Sequence, residues 1–271
     1  MRNRCLTTGN VVAAASAGLL LLATLAAAQA PAYRAPRAPD GKPNLNGIWQ
    51  AMNTAHWDIE AHSSAPSPAR ELGAAGAVPA GLGVVEGGSI PYTPEALAKR
   101  NENRANRLKL DPEVKCYLPG VPRATYMPYP FQIIQSQKHV MMVHEYAGAL
   151  RTIYMTEQTE APADSWMGWS NGRWEGETLV VDTKGFNDLS WFDRAGNFHS
   201  DALHVVERFT ARSPDTLNYE VTIEDSKVFT RPWKMSMPLY RRVEPNAQIM
   251  ELRCVEFVED LLYGHLRKQP K

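Results

Sequence analysis

The stretch "GWSNGRWEGETLVVDT", Gly168 to Thr183, is compatible with two quite different folds. Its first five residues spell G-x-S-x-G, the pattern of the nucleophile elbow in serine hydrolases. An elbow needs a strand before the serine and a helix after it, so that the hydroxyl sits on a strained turn. Beyond Ser170 the chain reads "RWEGETLVVDT": a short strand, a Glu175-Gly176 turn, then an alternating strand. The stretch therefore predicts a hairpin in an antiparallel sheet. Gly168 and Gly172 then serve turns, and Ser170 satisfies local backbone groups.

The same rhythm extends in both directions. "FQIIQS", "KHVMMVHEY", "ALRTIYM", "ALHVVERFTA", "TLNYEVTIED", "WKMSMPLYRR" and "QIMELRCVEF" are short, rich in β-branched and aromatic residues, and bounded by Gly, Pro, Asn or Asp. Ala147-Gly148 and Pro214-Asp215 read as further hairpin turns. Helices do not alternate with strands. The fold class predicted is mainly β: an antiparallel up-and-down barrel with a peripheral helix and a long N-terminal loop. The helix is "TPEALAKRNENRANRLK", with Thr93 as N-cap and Pro94 in the first turn.

The N-terminus carries an export signature. Arg2 and Arg4 precede an apolar run from Val11 to Ala26, and Ala26-Ala27-Ala28 offers a small-residue cleavage site. Residues 1–28 thus read as a signal peptide, and the mature protein is expected in the periplasm or secreted. The apolar run is short against the roughly 20 residues of a membrane span, so no stable membrane insertion is expected after cleavage. Residues 29–43 form a Pro/Ala linker. Residues 44–271 form a single barrel domain with a loop-and-helix insertion at about 51–115.

Basic and acidic residues balance at 29 each, and no basic stripe occurs, so a nucleic-acid partner is not expected. Cleavage would leave Cys116 and Cys254, an even pair in an oxidising compartment, and a disulfide between them is predicted. Closing so long a loop is worth about 4–5 kcal/mol on the chain-entropy account.

Candidate chemistry clusters late in the chain. "WFDRAGNFHSDALH" brings Trp191, Asp193, His199 and His204 close together, and Asp182 and Glu207 lie on the flanking strands. A histidine with a carboxylate partner is the usual equipment for proton transfer near neutral pH. His199 or His204 would move the proton, with Asp182, Asp193 or Glu207 as partner. Strand parity puts Val205, Glu207 and Phe209 on one face and His204, Val206 and Arg208 on the other. Trp169, Trp191, Tyr146 and Arg123 are candidate substrate-binding residues, the aromatics as walls and the arginine as a carboxylate anchor. His199, His204 and Glu207 match no standard zinc spacing, so no metal is expected, nor any other cofactor.

One motif carries a resemblance. Gly47-Ile48-Trp49 in "NLNGIW" resembles the G-x-W of lipocalins and other calycins. The resemblance implies a Trp plugging the closed end of a barrel, with a basic residue from a late strand packed over it; Arg242 and Arg253 are the candidates. The chain departs from that pattern in the long loop and helix separating Trp49 from Cys116. "CYLPGVPR", "GRWEGETLVVDTKGFND" and "HSDALHVVERF" also resemble a large set of uncharacterised exported bacterial proteins. The function expected is an exported barrel binding a small apolar or aromatic molecule, acting on it by acid–base elimination, hydration or isomerisation. A non-catalytic carrier is the alternative, and an ester hydrolase using Ser170 the third.

Overall fold

The computed structural model describes residues 33–66, 77–156, 158–263 and 265. The predicted signal peptide lies outside the described residues. Nine strands close into one barrel: β1 Gly47–Ala51, β2 Phe131–Gln135, β3 His139–His144, β4 Leu150–Tyr154, β5 Trp169–Glu175, β6 Thr178–Lys184, β7 His204–Ser213, β8 Thr216–Glu224 and β9 Trp233–Arg241. Each strand pairs with its sequence neighbour, and β9 returns to β1, with Trp49 opposite Arg241. Closure removes every open edge, the reason such meanders close at all.

All pairs are antiparallel except β4 with β5. Strand direction can alternate around a closed ring only if the count is even. Nine strands force one parallel pair, and the long connection from Met155 to Gly168 supplies the crossover that a parallel pair needs. Gly172 lies inside β5 at this junction rather than in a turn. A Cβ there would overlap the Met155 sulfur and lie 2.6 Å from Ile153 Cγ2.

The G-x-W motif receives a physical account. Trp49 is buried, and its indole N–H donates to the Leu45 carbonyl at 3.0 Å. The Arg241 guanidinium lies 4.2 Å from the ring centroid, and its Nη1 donates to the Asn46 carbonyl at 2.8 Å. Gly47 has φ +148, and a Cβ there would overlap Arg241 Nη1. The glycine is therefore the space through which the guanidinium reaches the indole. The residue over Trp49 is Arg241, not Arg242 or Arg253. Met235, Met237 and Leu239 are buried on β9, so alternation puts position 241 on their side and 242 on the other.

The barrel interior is packed with side chains. Phe131, Met142, Ile153, Val181, Val205 and Phe209 are almost fully buried. Among them sits a polar knot. Arg151 on β4 donates to Ser170 Oγ at 2.9 Å, to Thr183 Oγ1 at 2.8 Å and to the Glu207 carboxylate. Tyr219 donates to the other Glu207 oxygen at 2.7 Å. An ion pair this deep survives because nearly every lone pair and proton is used.

The N-terminal insertion packs outside the strands. Helix α1, Pro94–Ala105, starts as predicted: the Thr93 hydroxyl accepts from Ala96 N–H at 3.2 Å. Helix α2, Arg107–Leu110, and a 3-10 turn, Pro112–Lys115, come next. A buried single turn, α3 Arg123–Tyr126, lies against the barrel. Cys116 and Cys254 are bridged, with Cα atoms 5.6 Å apart. "QIMELRCVEF" is not a strand: with β9 already paired to β1 no edge remains for it, and residues 248–257 run irregularly outside. No helix among the described residues is long and apolar enough to cross a membrane.

Candidate functional site

The connection between β6 and β7, residues 185–203, is long and irregular, yet it is held firmly. Asp193 is the reason. Its carboxylate is completely buried and accepts from Ile59 N–H at 2.9 Å, Ala195 N–H at 2.9 Å and the Asn197 amide at 2.6 Å. Burial and the neighbouring Asp58 carboxylate push its pKa up to about 7. Asp193 thus closes its own loop and ties it to the segment at Ile59, an assignment that accounts for it without chemistry. At Gly196, with φ +86, a Cβ would lie 2.6 Å from Arg104 N, so the loop presses directly on α1.

The same loop builds a serine–histidine pair. His199 Nδ1 lies 2.9 Å from the Ser200 carbonyl, which can only accept, so Nδ1 carries the proton. Nε2 then presents its lone pair to the Ser190 hydroxyl at 2.7 Å. Burial lowers the His199 pKa and keeps the ring neutral. Ser200 is held in turn by Asp225, which accepts from its N–H at 2.6 Å and its hydroxyl at 2.9 Å. The order is carboxylate, backbone carbonyl, imidazole, hydroxyl: a base oriented by a third group. Gly120 covers the serine, and any Cβ there would overlap Ser190 Oγ.

His199 and Ser200 form part of the wall of a cleft of about 390 Å³. Tyr117, Trp166, Trp191 and Phe198 supply its aromatic surface, with Tyr117 and Trp166 4.9 Å apart in a tilted pair. Lys99 and Lys115 line it as well. The size falls in the range of small-molecule sites, which are largely apolar with a few placed polar groups.

The other sequence candidates lie elsewhere. His204 and Asp182 form a 3.0 Å pair on the outer face of the barrel, where His204 also meets Glu224 at 3.2 Å. Glu207 points inward on the same strand as His204 and is consumed by Arg151 and Tyr219. His204 and Glu207, candidate proton carrier and partner, therefore do not meet, because strand alternation sends them to opposite faces. Trp169 stacks on Tyr154 at 4.6 Å outside the barrel, away from Trp191. Arg123 is buried and paired with Asp111 at 3.0 Å and Glu113 at 2.6 Å, which occupies it structurally. Tyr146 donates to the Glu113 carbonyl at 3.2 Å and lines a separate, smaller cavity of about 220 Å³. Ser170 is locked against Arg151 and Thr183 inside the barrel and has no histidine partner.

Of the sequence candidates, His199 and Trp191 thus come together. Ser190, Tyr117, Phe198 and Asp225 join them without having stood out in the sequence. Ser190 and His199 sit nine residues apart in one loop, and that spacing was the available signal. Tyr117 and Asp225 arrive from distant segments and carried none. Among the described residues, no group of three His, Cys, Asp or Glu side chains is placed to hold a metal ion. No protein-family description matches this chain, and no curated protein matches it at a significant level.

Proposed function

We propose that this protein is an exported barrel that binds a small apolar or aromatic molecule in the cleft over His199 and acts on it by acid–base chemistry. The observation carrying this reading is the neutral imidazole whose basic nitrogen is partnered by one hydroxyl at the edge of an aromatic cleft. The Ser190 hydroxyl can pass its proton to Nε2 as its oxygen accepts one from a bound molecule, and the reverse relay returns it. Elimination, hydration and isomerisation all need such a shuttle. The Cys116–Cys254 bridge supports export, since such bonds persist in oxidising compartments.

A carrier with the same cleft is the second reading, favoured by one observation: Ser190 and His199 are each only 2% exposed. A serine hydrolase using Ser170 has no support from its surroundings. The test is deuterium exchange. The protein is incubated in D2O with a panel of small aromatic ketones and hydroxy acids, and proton NMR tracks exchange of their acidic C–H positions. The enzyme reading expects exchange with some member of the panel, lost in His199→Gln while binding persists. Binding without exchange in both proteins would leave the carrier.

A further inference from the structure

Three charged residues line the cleft: Lys99, Lys115 and Asp188, the last facing the charge of Lys227. Lys99 is tied to Glu102 at 3.2 Å, so its charge is already answered. Asp188 is exposed at the rim. Lys115 is half-buried, ends the 3-10 turn Pro112–Lys115, and has neither a hydrogen bond nor an ion pair among the described residues. It lies two residues from Tyr117 on a segment anchored through Cys116 to Cys254. The buried His199 is neutral and adds no charge. A lysine without a side-chain partner, in the lining of a cleft walled by four aromatic residues, is a recognition pattern for a ring bearing a single negative charge.

We infer that the cleft selects an aromatic carboxylate, its ring among Tyr117, Trp166, Trp191 and Phe198 and its carboxylate on Lys115. This rests on the reading of the cleft as the ligand site and adds the charge of the ligand to it. A half-exposed ion pair in a medium of intermediate dielectric is worth on the order of 1 kcal/mol, about a factor of five in affinity. Lysine suits the task as a point charge on a flexible stem, able to track a carboxylate without fixing its plane.

The experiment uses the whole mature protein and two probes of equal shape, 2-naphthoate and 2-naphthamide, with quenching of tryptophan fluorescence as the readout. The carboxylate should bind about five times more tightly than the amide. Lys115→Met should remove that preference by weakening the carboxylate alone, and Lys138→Met, on the exposed β2–β3 turn, should change neither. Equal binding of both probes with no effect of Lys115→Met overturns the charge assignment and leaves the aromatic cleft standing. If neither probe binds, both this inference and the cleft as ligand site fall.

Discussion

Acidification should unfold this protein partly through His144, and the size of the effect is set by its position. His144 ends β3 pointing into the barrel, 2% exposed, its ring 5.3 Å from that of Phe131. Neither ring nitrogen has a hydrogen-bond partner in normal geometry. Burial, then the nearby Arg151 charge, lower its pKa to about 3, against 6.5 when unfolded. A histidine depressed in the folded state binds its proton first in the unfolded chain. Its stability contribution is thus intact above about pH 6.5 and is lost as pH falls towards 3. Between pH 7.5 and 5.0 the loss is about 2 kcal/mol. His56, also buried and lowered to about 3, should lose a similar amount. Asp193 works the other way: with its pKa raised to about 7, acidification relieves the cost of burying its charge. The absolute slope therefore mixes opposite signs, and a comparison is needed. His144→Phe keeps a ring against Phe131 and removes the titration. Urea unfolding at pH 7.5 and 5.0 should show the variant losing about 2 kcal/mol less than the parent over that interval. Equal losses in both proteins would refute the account, whatever the substitution does to stability at a single pH.

Three further outcomes are expected. Gly47→Ala must displace the guanidinium of Arg241 from Trp49; the lost cation–π contact and the backbone strain together should cost about 2–3 kcal/mol, read as a lower thermal midpoint. Glu207→Leu strands the buried Arg151 charge and should cost about 3–5 kcal/mol, whereas Glu207→Leu with Arg151→Met should recover most of it, a coupling that a double-mutant cycle measures. Cys116→Ser opens a loop closed over 138 residues and should cost about 4–5 kcal/mol in chemical unfolding, with no difference from the parent once the parent is reduced.

The local signals in the sequence were faithful to what they physically describe. Alternation along "LHVVERF" put Val205, Glu207 and Phe209 on one face and His204 on the other, and the structure shows that the first face is the buried one. Thr93 and Pro94 started the helix where capping chemistry puts it. The same alternation, applied along "WKMSMPLYR", would have chosen Arg241 over Arg242 as the partner of Trp49. The candidate site was less legible. His199 and Trp191 could be singled out because imidazole and indole are conspicuous, but Ser190 gains its meaning from a turn that brings it back onto His199.

Residue types and their periods of two therefore determined most of the strands, the parity of their faces and the helix cap, since each depends on chemistry within a few neighbours, and an even count of cysteines pointed to their pairing. The number of strands in the ring, the parallel pair that an odd count imposes, and the meeting of Tyr117, Trp166 and His199 were decided by tertiary structure. Those depend on register and on how loops pack against helix and barrel. They are set by the burial of the whole chain at once, not by any one segment.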